Sequence, residues 1–233
     1  TWHCATSPTE SPRVDPDITQ DLSGGGYWAS RAQIDSELAK NTAWATQNAL
    51  PNFDRSELVT GEHSGLASLP QMTADNPFLA PALAAAGIRY AGSDASREPN
   101  VRVLAGGATS TVPRHPMNIY YNAATFQELI DEYNWIYTTK AQGGSGLCEN
   151  NPASTCITPL PAANAAEAQA SFDSYLTPLE VRNALKFVLT HDPRPFYAHQ
   201  SNLAEDGLLY PVLDGVISTY ASIYDTAKAP LQQ

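Results

Sequence analysis

Positive charge is scarce in this sequence: 13 lysines and arginines stand against 24 aspartates and glutamates, a formal net charge of −11 over 233 residues. A chain this acidic is repelled at neutral pH by a phosphate backbone or an anionic lipid surface, which makes nucleic acid and membrane poor partners. Long hydrophobic runs are also missing. The most apolar stretch, residues 77–88, is interrupted by Pro81 and is too short to cross a bilayer, so no membrane insertion is expected. There is no His-Glu-x-x-His and no Gly-x-Ser-x-Gly; Gly143-Gly144-Ser145-Gly146 approximates the latter without a strand before it. The glycine runs 24–26 and 143–146 lack dinucleotide and Walker spacings, which argues against phosphate cradling.

What is present describes a chain that folds. Charged residues make up 16% and apolar residues 42%, neither the signature of a disordered tail nor of a coiled coil. One large domain is expected. Thr1-Trp2-His3-Cys4 carries neither an initiator methionine nor the basic and apolar regions of a signal peptide, so a segment upstream is expected. Four lysines beside nine arginines, with many Tyr, Trp, Ser, Thr and Pro, lean towards an extracellular surface. Cys148 and Cys156 bracket a seven-residue loop in a polar, turn-forming stretch without zinc-site spacing, so a local disulfide is preferred over two thiols. Cys4 is left over, either paired outside this chain or a thiol.

Elements alternate along the chain. Ser30 and Gln33 form a capping box before a helix that keeps Ile34, Leu38 and Ala45 on one side until Pro51. Glu57 to Thr60 reads as a short strand running into Gly61-Glu62-His63-Ser64-Gly65. Asn76-Pro77 starts a helix over 78–86 that Gly87 ends, and Ile88 to Ala91 is a second strand opening into Gly92-Ser93-Asp94. Val101–Leu104 and Thr111–Arg114 continue the pattern. Thr125 and Glu128 cap a helix over 126–137; residues 138–176 read as a long irregular insertion; Thr177 to Leu189 is helical. Pro195 to Ala198 is a strand delivering His199, and Leu208 to Tyr220 closes the chain with an apolar face.

Strand then helix, repeated with short connections, predicts an α/β fold around a mostly parallel sheet. If it closes as a barrel, every strand-end loop meets at one mouth. The polar groups at the strand exits are Glu62 and His63, Asp94, Arg114 and His115, and His199 with Gln200, Ser201 and Asn202. An imidazole titrates near neutrality, which suits His199 to acid or base work, although a structural histidine fits the same position. Glu62 and His63, on an extended segment, would point to opposite sides; a solvated turn is the plainer reading. Asp94 after Ser93 is equally read as a turn residue bonding its own backbone. Arg114 in Arg-His-Pro offers a planar fork to a carboxylate, or is an ordinary surface arginine.

The strings Asn76-Pro-Phe-Leu-Ala-Pro-Ala-Leu-Ala-Ala-Ala-Gly87-Ile88, Ser93-Asp-Ala-Ser-Arg-Glu98, Thr111-Val-Pro-Arg-His-Pro-Met-Asn-Ile119, Asp131-Glu-Tyr-Asn-Trp-Ile-Tyr137 and Tyr197-Ala-His-Gln-Ser-Asn202 resemble carbohydrate esterase family 18, the secreted relatives of the galactosaminogalactan deacetylase. The resemblance runs over most of residues 30–225. It implies a distorted (β/α) barrel of the polysaccharide deacetylase type. A divalent metal, usually Zn2+, there activates water to remove N-acetyl groups from an amino sugar polysaccharide.

Carried over by residue, the resemblance makes His199 the acid that protonates the leaving amine and Asp94 the carboxylate that orients it. Glu62, His63 and Arg114 fall among groove-lining positions, with Arg114-His115-Pro116 arriving later in the chain than its counterpart. Thr1 matches the residue after a first metal histidine. The second metal histidine would then fall at Cys4, with His3, the candidate metal ligand, one place early. The Asp-Asp pair of the family does not occur in this chain. The 233 residues are therefore expected to be a single incomplete catalytic domain lacking its N-terminal strands, active in the full-length protein and not alone. The alternative is a non-catalytic secreted carbohydrate-binding protein on the same barrel, with Trp28, Trp135, Tyr120 and Tyr121 as stacking platforms. A glycoside hydrolase would need two facing carboxylates, for which Glu62 and Asp94 are the pair on offer.

Overall fold

The structure is a computed structural model that describes residues 28–67, 73–224 and 227–229. The chain forms two compact units, divided between Pro116 and Met117. Both are mixtures of helix and strand, and the described strands that pair in the first unit are parallel.

In the first unit, α1 (Arg31–Gln47) begins at the predicted capping box: Gln33 N–H donates to Ser30 Oγ at 3.3 Å and Ser30 N–H to Gln33 Oε1 at 2.7 Å. Its buried side is Ile34, Leu38 and Ala45. β1 (Glu57–Leu58) is shorter than predicted because the chain turns at Gly61–His63 into a 3-10 turn. α2 (Leu79–Ala86) is preceded by Asn76, which is buried. The Asn76 side chain accepts the Phe78 N–H at 2.9 Å and donates to the Ala29 carbonyl at 2.9 Å, which fixes the entry to both helices. Gly87, at φ +74°, ends α2 as expected.

β2 (Tyr90–Asp94) lies two to three residues later than the strand read from the sequence, so Gly92, Ser93 and Asp94 are in the strand rather than beyond it. β3 (Ser110–Pro116) pairs with β2 in parallel, Gly92 opposite Val112 and Asp94 opposite Arg114, while β1 pairs with the other edge of β2. Val101–Leu104 is not a strand. It makes one isolated bridge, Val103 to Ser110, because Arg102 turns inward to Asp75 and Glu98 and leaves Val101 and Val103 exposed. The core gathers Ile34, Leu38, Leu66, Leu79, Leu83, Ile88, Ala91 and Leu104.

In the second unit, α3 (Phe126–Tyr137) starts at the Thr125/Glu128 capping box and ends where the sequence places it. Cys148 and Cys156 are disulfide-bonded. The segment after them is fastened along α3: Asn134 donates to the Leu160 carbonyl at 2.9 Å and accepts the Leu160 N–H at 2.8 Å. The predicted irregular stretch stops short of 176. Asn164 caps α4 (Ala165–Ser171), which passes through a π turn (Phe172–Leu176) into α5 (Thr177–Leu189). The alanines after Asn164 have high helix propensity, and the wide turn lets Pro178 enter without a helical N–H. β4 (Phe196–Tyr197) precedes α6 (Leu209–Ile223). Of the predicted apolar face of α6, Val212 and Val216 are buried and Leu213 and Ile217 are exposed. α5 and α6 approach closely at Gly215, where a Cβ would meet Val181. No described helix is long and apolar enough to cross a membrane.

One carboxylate is buried in this core. Glu180, 6% exposed on α5, accepts from Asn118 N–H at 3.2 Å, from Asn118 Nδ2 at 3.1 Å and from Asn183 Nδ2 at 3.2 Å. Burial pushes its pKa up, against those three donors, which pull it down. A carboxyl whose folded pKa is raised contributes fully only below its unfolded pKa, near 4.3, and the contribution is lost as pH rises through the folded value. Glu180→Gln is therefore expected to unfold at a higher temperature than wild type at pH 7, with the difference gone near pH 4. Thermal unfolding at the two pH values measures it; a variant less stable at pH 7 would contradict the cost assigned to burial.

Candidate functional site

The parallel pairing of β2 and β3 sorts their side chains by face. Ala91, Ser93, Thr111, Pro113 and His115 alternate on the buried side; Gly92, Asp94, Val112 and Arg114 share the other. Arg114 uses the missing side chain of Gly92. Its guanidinium lies so close that a Cβ on Gly92 would fall 2.7 Å from Nε and 2.8 Å from Cζ. From there Nη2 stands 2.9 Å from Nε2 of His63. A guanidinium only donates, so Nε2 accepts and the imidazole carries its proton on Nδ1. His63 reaches this place at φ +56°, in the left-handed region rarely used by side-chain-bearing residues.

The structure thus brings together His63 and Arg114, two of the residues singled out in the sequence, with His63 on a turn, one of the two readings its sequence allowed. The turn closes by His63 N–H to the Thr60 carbonyl and Ser64 N–H to the Gly61 carbonyl. The side chain of Glu62 lies outside the described residues. Asp94 works as a turn former: its Oδ1 accepts the Ser96 N–H at 2.8 Å and its carbonyl the N–H groups of Arg97 and Glu98.

In the second unit, β4 delivers His199 as predicted. The imidazole is half-buried and stands edge-on to two rings, Tyr197 at 5.9 Å and Tyr121 at 6.0 Å between centroids. Tyr121 is 50% exposed. A 3-10 turn, Gln200–Leu203, follows; its Asn202 accepts the His199 N–H at 3.0 Å, and its Ser201 hydroxyl donates to the Tyr121 carbonyl. Tyr120 is half-buried and packs against the core of this unit, and burial raises the pKa of its hydroxyl. Trp135, 59% exposed on α3, is available to a ligand, and Trp28 is half-buried. His199 belongs to the second unit and Asp94 to the first.

A separate groove of about 860 Å³ runs beside α1, floored by Leu38, Ala39, Ala43, Ala85 and Ile88. None of the residues predicted from the sequence lines it. His3 and Cys4 lie outside the described residues. Among the described residues no three His, Cys, Asp or Glu side chains gather as a metal site. His63 is a poor start for one, since its Nε2 lone pair faces a guanidinium cation. The seat of Arg114 on Gly92 was not read from the sequence, although a glycine in a strand pattern signals a close approach. No protein-family model matches the chain, and neither the curated proteins nor the solved structures contain a match.

Proposed function

We propose that the full-length protein is a secreted, metal-dependent N-deacetylase acting on an amino sugar polysaccharide, that its fold is a distorted (β/α) barrel, and that His199 is the acid for the leaving amine. The observation that carries this reading is the setting of His199, a half-buried imidazole at the end of β4 with an exposed tyrosine edge-on to it. Amide hydrolysis needs such a group. Once water has added to the acetyl carbon, the C–N bond breaks only as the nitrogen gains a proton, and an imidazole near neutrality supplies it. Acetate and a free amine result. An aromatic face beside the acid suits a sugar ring, whose C–H groups pack on it while the hydroxyls stay wet.

Within the first unit, Arg114 and His63 form a polar pair, with Asp94 on the same sheet face. When bound, the metal would polarise the acetyl carbonyl and activate water. The exposure of Tyr121 and Trp135 also favours the second reading, a secreted carbohydrate-binding protein. Acetate release from a partially N-acetylated amino sugar polymer separates the two. The full-length protein is expected to release acetate in step with new free amines, and the 233 residues alone to bind without release. Saturable binding by the full-length protein without acetate would replace the enzyme by the binder.

A further inference from the structure

Asn202 is wholly buried and every polar atom of its side chain is used. Its Oδ1 accepts the His199 N–H at 3.0 Å, and its Nδ2 donates to the carbonyls of Tyr120 at 2.8 Å and Ala123 at 3.0 Å. Its own N–H closes the turn onto the His199 carbonyl at 3.1 Å. This fixes the amide orientation. Turned over, its oxygen would face two carbonyl oxygens and its NH2 would face an N–H, so all three bonds would become repulsive.

Those bonds tie the His199 turn to a loop 79 to 82 residues earlier in the chain. That loop carries Tyr121, and the Ser201 hydroxyl adds a further tie to the Tyr121 carbonyl. We infer that Asn202 is a positioning residue: it locks the backbone of His199 to the Tyr120–Ala123 loop, so that the imidazole and the Tyr121 ring meet an amino sugar as one preset unit. The inference rests on the reading of His199 as proton donor. Asn202 itself touches no reacting atom.

Asn202→Asp keeps the shape and replaces the NH2 with an oxygen facing two carbonyls. In the 233-residue chain, nuclear Overhauser contacts between the His199 and Tyr121 rings are expected in wild type and lost in the variant at pH 7. They should return in part at acid pH, where the protonated carboxyl regains one donor. In the full-length protein kcat should fall about 10- to 100-fold, the scale of a misplaced catalytic group. Ser201→Ala removes only the tie to Tyr121. It is expected to raise KM for an N-acetylated amino sugar oligomer a few-fold, about 2 to 5, with kcat held within about twofold. If Asn202→Asp does not fold, this KM-against-kcat split decides the matter. Ring contacts that survive Asn202→Asp, or a Ser201→Ala variant that loses kcat instead of KM, would overturn the proposal. A wild-type full-length protein that releases no acetate would sink the functional reading alone, since the ring contacts judge the positioning without any turnover.

Discussion

Replacing Arg102 with methionine is expected to lower the stability of the first unit by about 2 to 4 kcal/mol, below the full cost of breaking a buried pair because the groups keep some solvent. Arg102 holds two carboxylates at once: Nη1 and Nη2 grip Asp75 at 2.5 and 2.9 Å, and Nε meets Glu98 Oε1 at 2.6 Å. All three side chains are 28 to 30% exposed. Methionine preserves the apolar stem but leaves two negative groups facing each other, one of them with Oε2 buried and unpartnered. The loss spreads further, because Asp75 also accepts the Ala67 N–H at 2.8 Å. Urea unfolding measures the effect. In an Asp75→Asn, Glu98→Gln background the same substitution should cost much less; an equal cost there would assign the effect to packing rather than charge.

The other large effect concerns chemistry. His199→Asn retains a polar side chain of similar reach but removes the transferable proton, and amide deacetylation by the full-length protein is expected to fall about 10²- to 10⁴-fold, the usual worth of general acid catalysis. KM should change little, since Tyr121 and the Asn202 bonds to the backbone stay in place. The Asn202 bond is made to the His199 main chain, so it survives the substitution. A rate within about threefold of wild type would remove His199 from the reaction.

Local signals were legible where they are written in adjacent residues. The Ser30/Gln33 and Thr125/Glu128 boxes place α1 and α3, Gly87 ends α2, and the spacing of Cys148 and Cys156 gives their disulfide. Signals that depend on distant partners were not. Arg102, between two valines, reads as strand until Asp75 and Glu98 draw its side chain inward. The helix from Ala165 was hidden by Pro178, whose missing N–H a π turn accommodates. The strand end at Asp94 was placed too early because glycine and serine suppress β propensity, whereas here Gly92 is needed as the seat of Arg114. At the site, residue types at strand exits picked out His63, Arg114 and His199. The bond between His63 and Arg114 spans 51 positions, and the role of Asn202 spans about eighty; neither has a local pattern.

The central claim is that His199 protonates a departing amine. It is tested most directly by comparing His199→Asn and wild-type full-length protein on two acetyl donors, an N-acetylated amino sugar oligomer and an activated aryl acetate. The aryl acetate leaves as a stable phenolate and needs no proton. The account predicts a large loss on the amide and a nearly unchanged rate on the ester. Equal losses on both substrates would contradict it, because the imidazole would then act before the leaving group departs, or only as part of the scaffold.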